Sequence, residues 1–232
     1  MKIFPDNVST YGHEIDNLFY LIFVFALIAF VISLIALLIP LFRKREKAIH
    51  FTGYKWAHLK WIVIPVTLLA LSDFVILYVE HGTWAKIEQQ LPDKEVPIGI
   101  IGRQWNWIFI YPGPDNKLWT SDDKIVDQQD SELHVPVNKK IVMDLRAKDV
   151  IHSLAVPVLR FKQDAIPGRT ITRWFEAIKP GTYEMQCAEI CGVLHSRMRN
   201  FLVVESEEEY KKFTAELYYP AMKTDSTDLV KK

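Results

Sequence analysis

A long apolar run near the start of the chain constrains the fold more than any other feature. Residues 18–42 contain no charged side chain. In a helix, each residue rises about 1.5 Å, and about 20 apolar residues cross a hydrocarbon core about 30 Å thick. The alternative, a helix buried in a soluble core, does not need a run this long. We therefore predict a transmembrane helix over residues 18–42.

A second apolar run, at residues 61–80, predicts a second transmembrane helix. The connection between the two runs, residues 43–60, is rich in lysine and arginine and contains one acidic residue. Such loops stay in the cytoplasm by the positive-inside rule. The runs therefore predict a two-helix transmembrane hairpin of a multi-pass plasma-membrane (inner-membrane) protein. Residues 1–17 and everything after residue 80 would lie on the periplasmic or extracytoplasmic side.

The rest of the chain has the composition of a soluble domain. Residues 81–96 are predicted to be a linker. From there to residue 205, short β-branched and aromatic runs alternate with turns marked by proline, glycine and asparagine. This pattern predicts an all-β sandwich or barrel over residues 97–205. Residues 206–232 are predicted to form a C-terminal helix, with Ser206 as its N-cap, and a tail.

The longest β-like run, residues 98–111, is predicted to be one strand. Side chains two residues apart in a strand point to the same face, so Trp105 and Trp107 would share a face. Paired tryptophans on a sheet usually belong to a core.

The segment 187–198 contains both cysteines of the chain, Cys187 and Cys191, followed by His195 and Met198. Two thiolates, an imidazole and a thioether form a soft ligand set, which binds copper or zinc rather than hard cations. Zinc is satisfied by a closed tetrahedron of four ligands, whereas a weak extra methionine is typical of copper electron-transfer sites. A disulfide between the cysteines is the alternative, but it leaves the positions of His195 and Met198 unexplained. We predict a copper site.

The two cysteines also indicate how many copper ions the site holds. A mononuclear site of the blue-copper type needs one cysteine, whereas two thiolates can bridge two metal ions. Each ion then needs about one imidazole and one weak donor, so a second histidine must come from elsewhere in the chain. His152 is the candidate, although a histidine at the end of a strand-like run is more often an ordinary surface or core residue.

These segments together resemble subunit II of the haem-copper cytochrome c oxidases. The resemblance is carried by residues 187–198, 149–153, 164–169 and the Gln-Trp-x-Trp segment 104–107, and it extends over nearly the whole chain. It implies a Greek-key cupredoxin fold for the β domain. It also implies a respiratory electron-transport role, in which a dinuclear copper A centre takes electrons from a c-type cytochrome. They pass to haem in subunit I, the partner subunit that reduces oxygen in this oxidoreductase complex.

The family pattern implies a role for each ligand residue. The carboxylate of Glu189 would reach a magnesium or manganese ion at the junction with subunit I, unless it is a solvated loop residue. The copper ligands implied are Cys187 and Cys191 as bridges, His152 and Met198 on one copper, and His195 with the backbone carbonyl of Glu189 on the other.

The resemblance also implies where electrons enter. In the family, the first tryptophan of the Gln-Trp-x-Trp segment lies exposed above the copper and accepts the electron from cytochrome c, and Trp105 matches it. Residues 111–134, the acid-rich stretch, would steer a basic cytochrome if they flank this surface. Ordinarily such a stretch is a solvated loop, and a calcium loop is a further alternative. The whole chain carries 28 basic and 28 acidic side chains, a balance that argues against a nucleic-acid partner.

Three positions depart from the family pattern. Arg103 replaces a histidine before the Gln-Trp-x-Trp segment, and Leu154 replaces a tryptophan after the ligand histidine. Neither change removes a copper ligand. His58 stands where the family commonly carries a glutamate at the mouth of a proton pathway. This last change keeps open an alternative assignment, the copper A subunit of a nitric oxide reductase.

Overall fold

The computed structural model describes residues 4–42, 56–93 and 95–219. The chain divides into two compact units, one formed by His13–Gln90 and the other by Met1–Gly12 together with Leu91–Lys232. Side chains of the second helix are described from Leu59 onward. The side chain of His58, which stands at the predicted mouth of a proton pathway, therefore lies outside the described residues.

The first unit consists of two long apolar helices, α1 (Gly12–Phe42) and α2 (Trp56–Trp84), and a π-helical turn (Ala85–Gln89). Both helices are long and apolar enough to cross a membrane, and their large apolar side chains are exposed along their length. An ion pair of 3.2 Å between Glu14 and Lys86 joins the start of α1 to the turn after α2. The helices therefore run as an antiparallel pair, as the sequence predicted.

The helix α1 begins at Gly12, before the predicted apolar span at residue 18. The added turn contains Glu14. An acidic side chain in the first turn of a helix interacts favourably with the helix dipole, which favours a helix start before the apolar span.

The second unit is an all-β sandwich, which confirms the predicted fold class. Within the described residues, ten strands form two five-stranded sheets, in the orders β3-β2-β1-β5-β8 and β4-β10-β9-β6-β7. The pairs β1–β5 and β4–β10 are parallel and the other pairs are antiparallel. The strands are β1 (Val96–Arg103), β2 (Asn106–Tyr111), β3 (Lys124–Val126), β4 (Glu132–Pro136), β5 (Lys140–Ala147), β6 (His152–Val156), β7 (Phe161–Ala165), β8 (Ile171–Glu176), β9 (Gly181–Cys187) and β10 (Arg199–Glu205).

The core lies between the two sheets and follows the period of two that a strand imposes. Ile98 and Ile100 on β1, and Ile141, Met143 and Leu145 on β5, are all almost fully buried. Alternate side chains of a strand point to the same face, so these side chains of β1 and β5 share the face that is turned to the core. The sandwich thus provides a rigid base for the loops at its ends.

The prediction of one strand over residues 98–111 is wrong, because the chain turns back at Gln104 and Trp105. β1 pairs with β2 so that Gly102 lies opposite Trp107. Both strands are almost completely buried, so the apolar run continues through the turn and its periodicity does not mark the reversal. Trp105 and Trp107 therefore do not share a strand face. Trp105 is half-buried in the turn, and Trp107 is fully buried on β2.

The segment before α1 packs against the β domain, a contact that the sequence did not predict. The Val8 N–H donates to the Val158 carbonyl at 2.9 Å, and the Ile178 N–H donates to the Val8 carbonyl at 2.8 Å. The side chains of Val8 and Tyr11 are buried. The segment before α1 therefore belongs to the same compact unit as the β domain.

The helix α3 (Glu207–Tyr218) packs against β4 and β10. The Glu209 N–H donates to the Ser206 hydroxyl at 3.3 Å, and the Ser206 N–H donates to the Glu209 carboxylate at 3.0 Å. This reciprocal capping box confirms Ser206 as the predicted N-cap. Phe213 of α3 stacks on the imidazole of His134, with ring centroids 4.0 Å apart.

Candidate metal centre

The predicted ligands on segment 187–198 lie on a loop whose two ends are fixed by neighbouring strands. Cys187 ends β9 and Met198 directly precedes β10, and these strands are antiparallel neighbours. The Cys187 N–H donates to the Met198 carbonyl at 3.0 Å and closes the loop. Because the strands fix both ends, the cysteines, His195 and Met198 are folded back toward one point.

His152 reaches this loop from β6, the strand next to β9. Leu154 of β6 lies opposite Cys187, and the Ala188 N–H donates to the Ser153 carbonyl at 2.8 Å. The imidazole of His152 is fully buried. Sheet pairing therefore brings together two segments that are 35 residues apart in the chain.

The structure brings all six predicted metal residues together. The two sulfur atoms of the free cysteines are 3.7 Å apart, and each has an imidazole nitrogen near it. The remaining distances are 3.9 Å from Cys187 Sγ to His152 Nδ1, 3.5 Å from Cys191 Sγ to His195 Nδ1, 3.8 Å from Cys191 Sγ to Met198 Sδ, and 3.2 Å from Cys187 Sγ to the Glu189 carbonyl oxygen.

This donor set fits bridged metal ions. A disulfide needs a sulfur–sulfur distance of about 2.05 Å, and a metal–thiolate bond is about 2.3 Å long. Sulfurs 3.7 Å apart are too far for a bond but close enough for one ion to touch both. Within the described part of the chain, the one group of His, Cys and acidic side chains close enough to hold a metal is His152, Cys187 and Cys191.

The orientation of His152 leaves Nδ1 available to a metal. Its Nε2 lies 2.8 Å from Asp149 Oδ1, so the N–H of the neutral ring is held on the side away from the sulfurs. The ring also rests on Gly102, where an added Cβ would lie 3.0 Å from the imidazole. The absence of a side chain at Gly102 therefore leaves space for the imidazole of His152.

The charges at the site favour one thiolate in the metal-free protein. Burial alone would raise the pKa of the Cys187 thiol, but hydrogen bonds, chiefly with the His152 side chain and the Ser153 backbone, lower it overall. Burial and the neighbouring Cys187 raise the pKa of Cys191. Burial alone would lower the pKa of His152, but Cys187 and Asp149 raise it. Positive metal ions would replace the protons that the second thiol and the imidazole retain.

Asp149 combines two contacts in one carboxylate. Its Oδ1 faces His152, and its Oδ2 accepts a hydrogen bond of 2.7 Å from the Gln104 N–H. Burial alone would raise the pKa of Asp149, but these hydrogen bonds lower it overall and keep the group ionised. Asp149 and Gln104 lie in the segments that carry the family resemblance, but neither was predicted to have a role of its own. Asp149 lies three residues before His152 in the sequence, and this spacing could have identified it as a partner of the histidine.

Trp105 lies against the ligand loop. An added Cβ on Gly192 would lie 3.1 Å from Trp105 Cζ2, so the indole rests on the backbone next to Cys191. Gly192 has a φ of 123°, which L side chains rarely adopt. The family resemblance implied that Trp105 is exposed. In the structure its side chain is half-buried.

The ligand loop exposes apolar side chains to solvent. Ile190 and Val193 expose 84% and 89% of their surface, a feature that the sequence did not predict. Asp127 in the acid-rich stretch pairs with Arg103 at 2.7 Å, directly before the turn that carries Trp105. Arg103, which replaces the histidine of the family pattern, thus holds the acid-rich stretch near the turn that contacts the ligand loop.

Comparison with known proteins identifies the family. Residues 96–206 match the family described as "Cytochrome C oxidase subunit II, periplasmic domain". Cytochrome c oxidase subunit 2 of Cereibacter sphaeroides is 30% identical over 232 residues, covering 88% of this chain and 75% of the relative. The probable cytochrome c oxidase subunit 2 of Rickettsia felis is 31% identical over 222 residues, covering 90% and 69%.

Among solved structures, the periplasmic domain of subunit II of cytochrome oxidase from Bradyrhizobium japonicum is 33% identical, with a TM-score of 0.49. That match covers 55% of this chain and 96% of the other. The family assignment follows from the two sequence relatives, each matched over most of both chains. The chain therefore belongs to the cytochrome c oxidase subunit II family.

Proposed function

We propose that this subunit accepts electrons from a c-type cytochrome through a dinuclear copper A centre and passes them to haem in subunit I for oxygen reduction. The observation that carries the proposal is the pair of free thiols 3.7 Å apart, with an imidazole nitrogen near each sulfur. The relatives reported above are named for cytochrome c oxidase, which favours this acceptor over nitric oxide.

Each ligand has a task that follows from its position. Bound copper supplies the one-electron redox change. Cys187 and Cys191 would hold the metal ions through their sulfur atoms, and His152 and His195 would bind through Nδ1. Met198 and the Glu189 carbonyl would supply the two weak donors, Met198 beside His152 and the carbonyl beside His195. Because strands fix the ligand segments, their geometry changes little as the charge changes, which favours fast electron transfer.

Trp105 accepts the electron from the cytochrome. Its contact with Gly192, next to the ligand Cys191, supports this role, since it places an aromatic ring between the metal loop and solvent. The contact of Asp127 with Arg103 indicates that the last part of the acid-rich stretch, which also carries the exposed Asp130, lies beside the same surface, and this supports an acidic border there. A basic c-type cytochrome would approach there, steered by charge.

The β domain lies on the periplasmic, extracytoplasmic face of the plasma membrane. Contacts of the segment before α1 with the β domain support this topology, because they require an even number of membrane crossings between the two. The basic loop at residues 43–60 then remains in the cytoplasm.

Subunit I covers the ligand loop on the side of Glu189. The exposed apolar side chains Ile190 and Val193 support a protein contact there. The exposed carboxylate of Glu189 would bind magnesium or manganese at this junction.

Metal analysis and paramagnetic resonance of the purified full-length subunit test the copper proposal. We expect two coppers per chain and a mixed-valence signal in which one unpaired electron is shared by both ions. Cys187→Ser and Cys191→Ser should each abolish that signal. One copper per chain, or the spectrum of a single localised Cu(II), would contradict the dinuclear centre.

A matched pair of methionine variants tests the weak ligand. Met198→Leu should retain copper and shift the reduction potential upward, because a donor that favours the oxidised state is lost. Met143→Leu makes the same change at another almost fully buried methionine, on β5. Equal potentials in the two variants would exclude Met198 as a ligand.

A further inference from the structure

The turn between β1 and β2 contacts both loops that carry the ligands. The Gln104 N–H donates to Asp149 Oδ2 at 2.7 Å, and Asp149 in turn holds His152. The Gln104 side chain extends to the other loop, where Nε2 donates to the Cys191 carbonyl at 2.8 Å. One residue of the first sheet therefore binds both ligand loops of the second sheet.

We propose that Gln104 is a positioning residue whose side-chain amide fixes the backbone of Cys191 and Gly192 beneath Trp105. The proposal rests on the proposed function, because it assigns the spacing between Trp105 and the bridging thiol to this hydrogen bond. Gln104 sets that spacing through its Nε2 donor, and Trp105 follows directly in the same turn.

The packing at Gly192 shows how tightly the two parts meet. A Cβ on this glycine would lie 3.0 Å from Gln104 Nε2 and 3.1 Å from both Cζ2 and Nε1 of Trp105. Both side chains therefore lie directly on the glycine backbone. A small movement of the loop would open a gap beneath the indole.

The ligand loop depends on this hydrogen bond because its own side chains provide little anchoring there. Ile190 and Val193, on either side of the Cys191–Gly192 pair, are almost fully exposed. The Cys191 side chain is buried, but it points to the other sulfur at 3.7 Å. The amide of Gln104 is thus a contact that holds the loop backbone against the first sheet.

Hydrogen exchange of the copper-free full-length chain tests the contact itself. Gln104→Met keeps the length of the side chain and removes the donor. Amides of residues 188–194 should then exchange faster by about tenfold, since a net hydrogen bond of this kind is lost, while amides of β1 and β5 keep their rates. Unchanged exchange in the loop, or an equal rise in the strands, would overturn the proposal.

The control is Gln163→Met. Gln163 on β7 is another glutamine whose Nε2 donates to a backbone carbonyl, that of Asp164 at 3.3 Å. This variant loses the same kind of bond away from the turn and should leave exchange of the ligand loop unchanged. A similar rise in the control would overturn the specific role of Gln104.

Stopped-flow reduction of the copper-loaded chain tests the consequence for electron transfer. Gln104→Met should slow reduction by a saturating c-type cytochrome by about tenfold, because Trp105 and the Cys191 thiol are no longer held at the same spacing. The copper content and the Kd for the cytochrome should not change. A loosened loop with a wild-type rate would overturn the positioning role. Failure of the wild-type chain to bind two coppers would instead refute the proposed function, because the copper-free exchange still reports on the hydrogen bond.

Discussion

Two regions of the β domain use their residues differently. At the ligand end, formed by the turn 104–105 and the loops at 148–152 and 187–198, side chains hold ligands in place and leave apolar groups in solvent. At the α3 edge, the helix has a reciprocal capping box and packs its aromatic residues against the sandwich. The difference indicates that the ligand end is arranged for the proposed metal centre, whereas the α3 edge contributes to stability.

Polar groups show the same contrast. The indole nitrogens of Trp105 and Trp107 and the hydroxyl of Ser153 are buried without a partner among the described residues. Buried unpaired donors cost stability, and they lie next to the ligand loops. At the α3 edge, by contrast, the hydroxyl of Tyr218 donates to the Pro112 carbonyl.

Substitution of Trp105 and of Trp107 should give the largest effects. The two substitutions should also differ in kind, one affecting electron transfer and the other stability. Trp107→Ala removes a fully buried side chain and should cost about 3–5 kcal/mol of unfolding free energy. Trp105→Ala, in the half-buried turn, should cost less but slow electron transfer from cytochrome c by orders of magnitude. Thermal unfolding and stopped-flow reduction of both variants make the comparison. A large stability loss in Trp105→Ala with normal electron transfer would make Trp105 a core residue.

The second prediction concerns the carboxylate behind His152. Asp149→Asn keeps the shape but weakens the hydrogen bond that leaves Nδ1 free. Loss of such an outer partner typically reduces metal affinity by about 10–100-fold. Competition with a copper chelator measures this. Asp164→Asn, on the neighbouring strand β7, is the control, and equal affinity in both variants would remove Asp149 from the site.

The outcome for these residues also shows what could be predicted from the sequence. The proposed copper ligands could be identified from the sequence because Cys187, Cys191, His195 and Met198 are close in the chain, so their spacing alone indicates a site. The contacts of Gln104 with Asp149 and Cys191 join residues 45 and 87 positions apart. No local pattern reports such contacts, because they arise only when the two sheets pack together.

The fold shows the same limit. Turns with proline or glycine separated most strands correctly, and the cap at Ser206 was visible because capping is local. The β1–β2 hairpin was missed because apolar residues continue through Gln104 and Trp105, and β7 was missed because its exposed and half-buried polar residues hide the strand pattern. The packing of Val8 on the β domain depends on contacts across 150 residues and more.

A smaller effect is expected at the acidic border. Asp127→Asn combined with Asp130→Asn should slow association of a basic cytochrome by about tenfold at low salt and flatten its salt dependence. Asp122→Asn combined with Asp123→Asn is the control, because these two carboxylates lie near Tyr218 at the α3 edge. The internal electron-transfer rate should not change. Asp127 also pairs with Arg103, and Asp122 and Asp123 accept hydrogen bonds from Thr120, so circular dichroism must show that each double variant retains the fold. An unchanged association rate would make this stretch an ordinary solvated loop.

The smallest effect is expected at the α3 edge, where Ser206→Ala should reduce stability by about 1 kcal/mol, because an N-cap acceptor is lost. Copper content and electron transfer should not change. The effect should also depend on pH, since hydrogen bonds from the Ser206 hydroxyl and N–H lower the pKa of Glu209. A carboxylate with a lowered folded pKa stabilises above its unfolded value, and that contribution is lost as pH falls through the folded pKa. The difference between Ser206→Ala and wild type should therefore narrow in acid. Hydrogen exchange of the α3 amides at neutral and acidic pH measures it. A change in the copper spectrum of this variant would contradict the separation of the two regions.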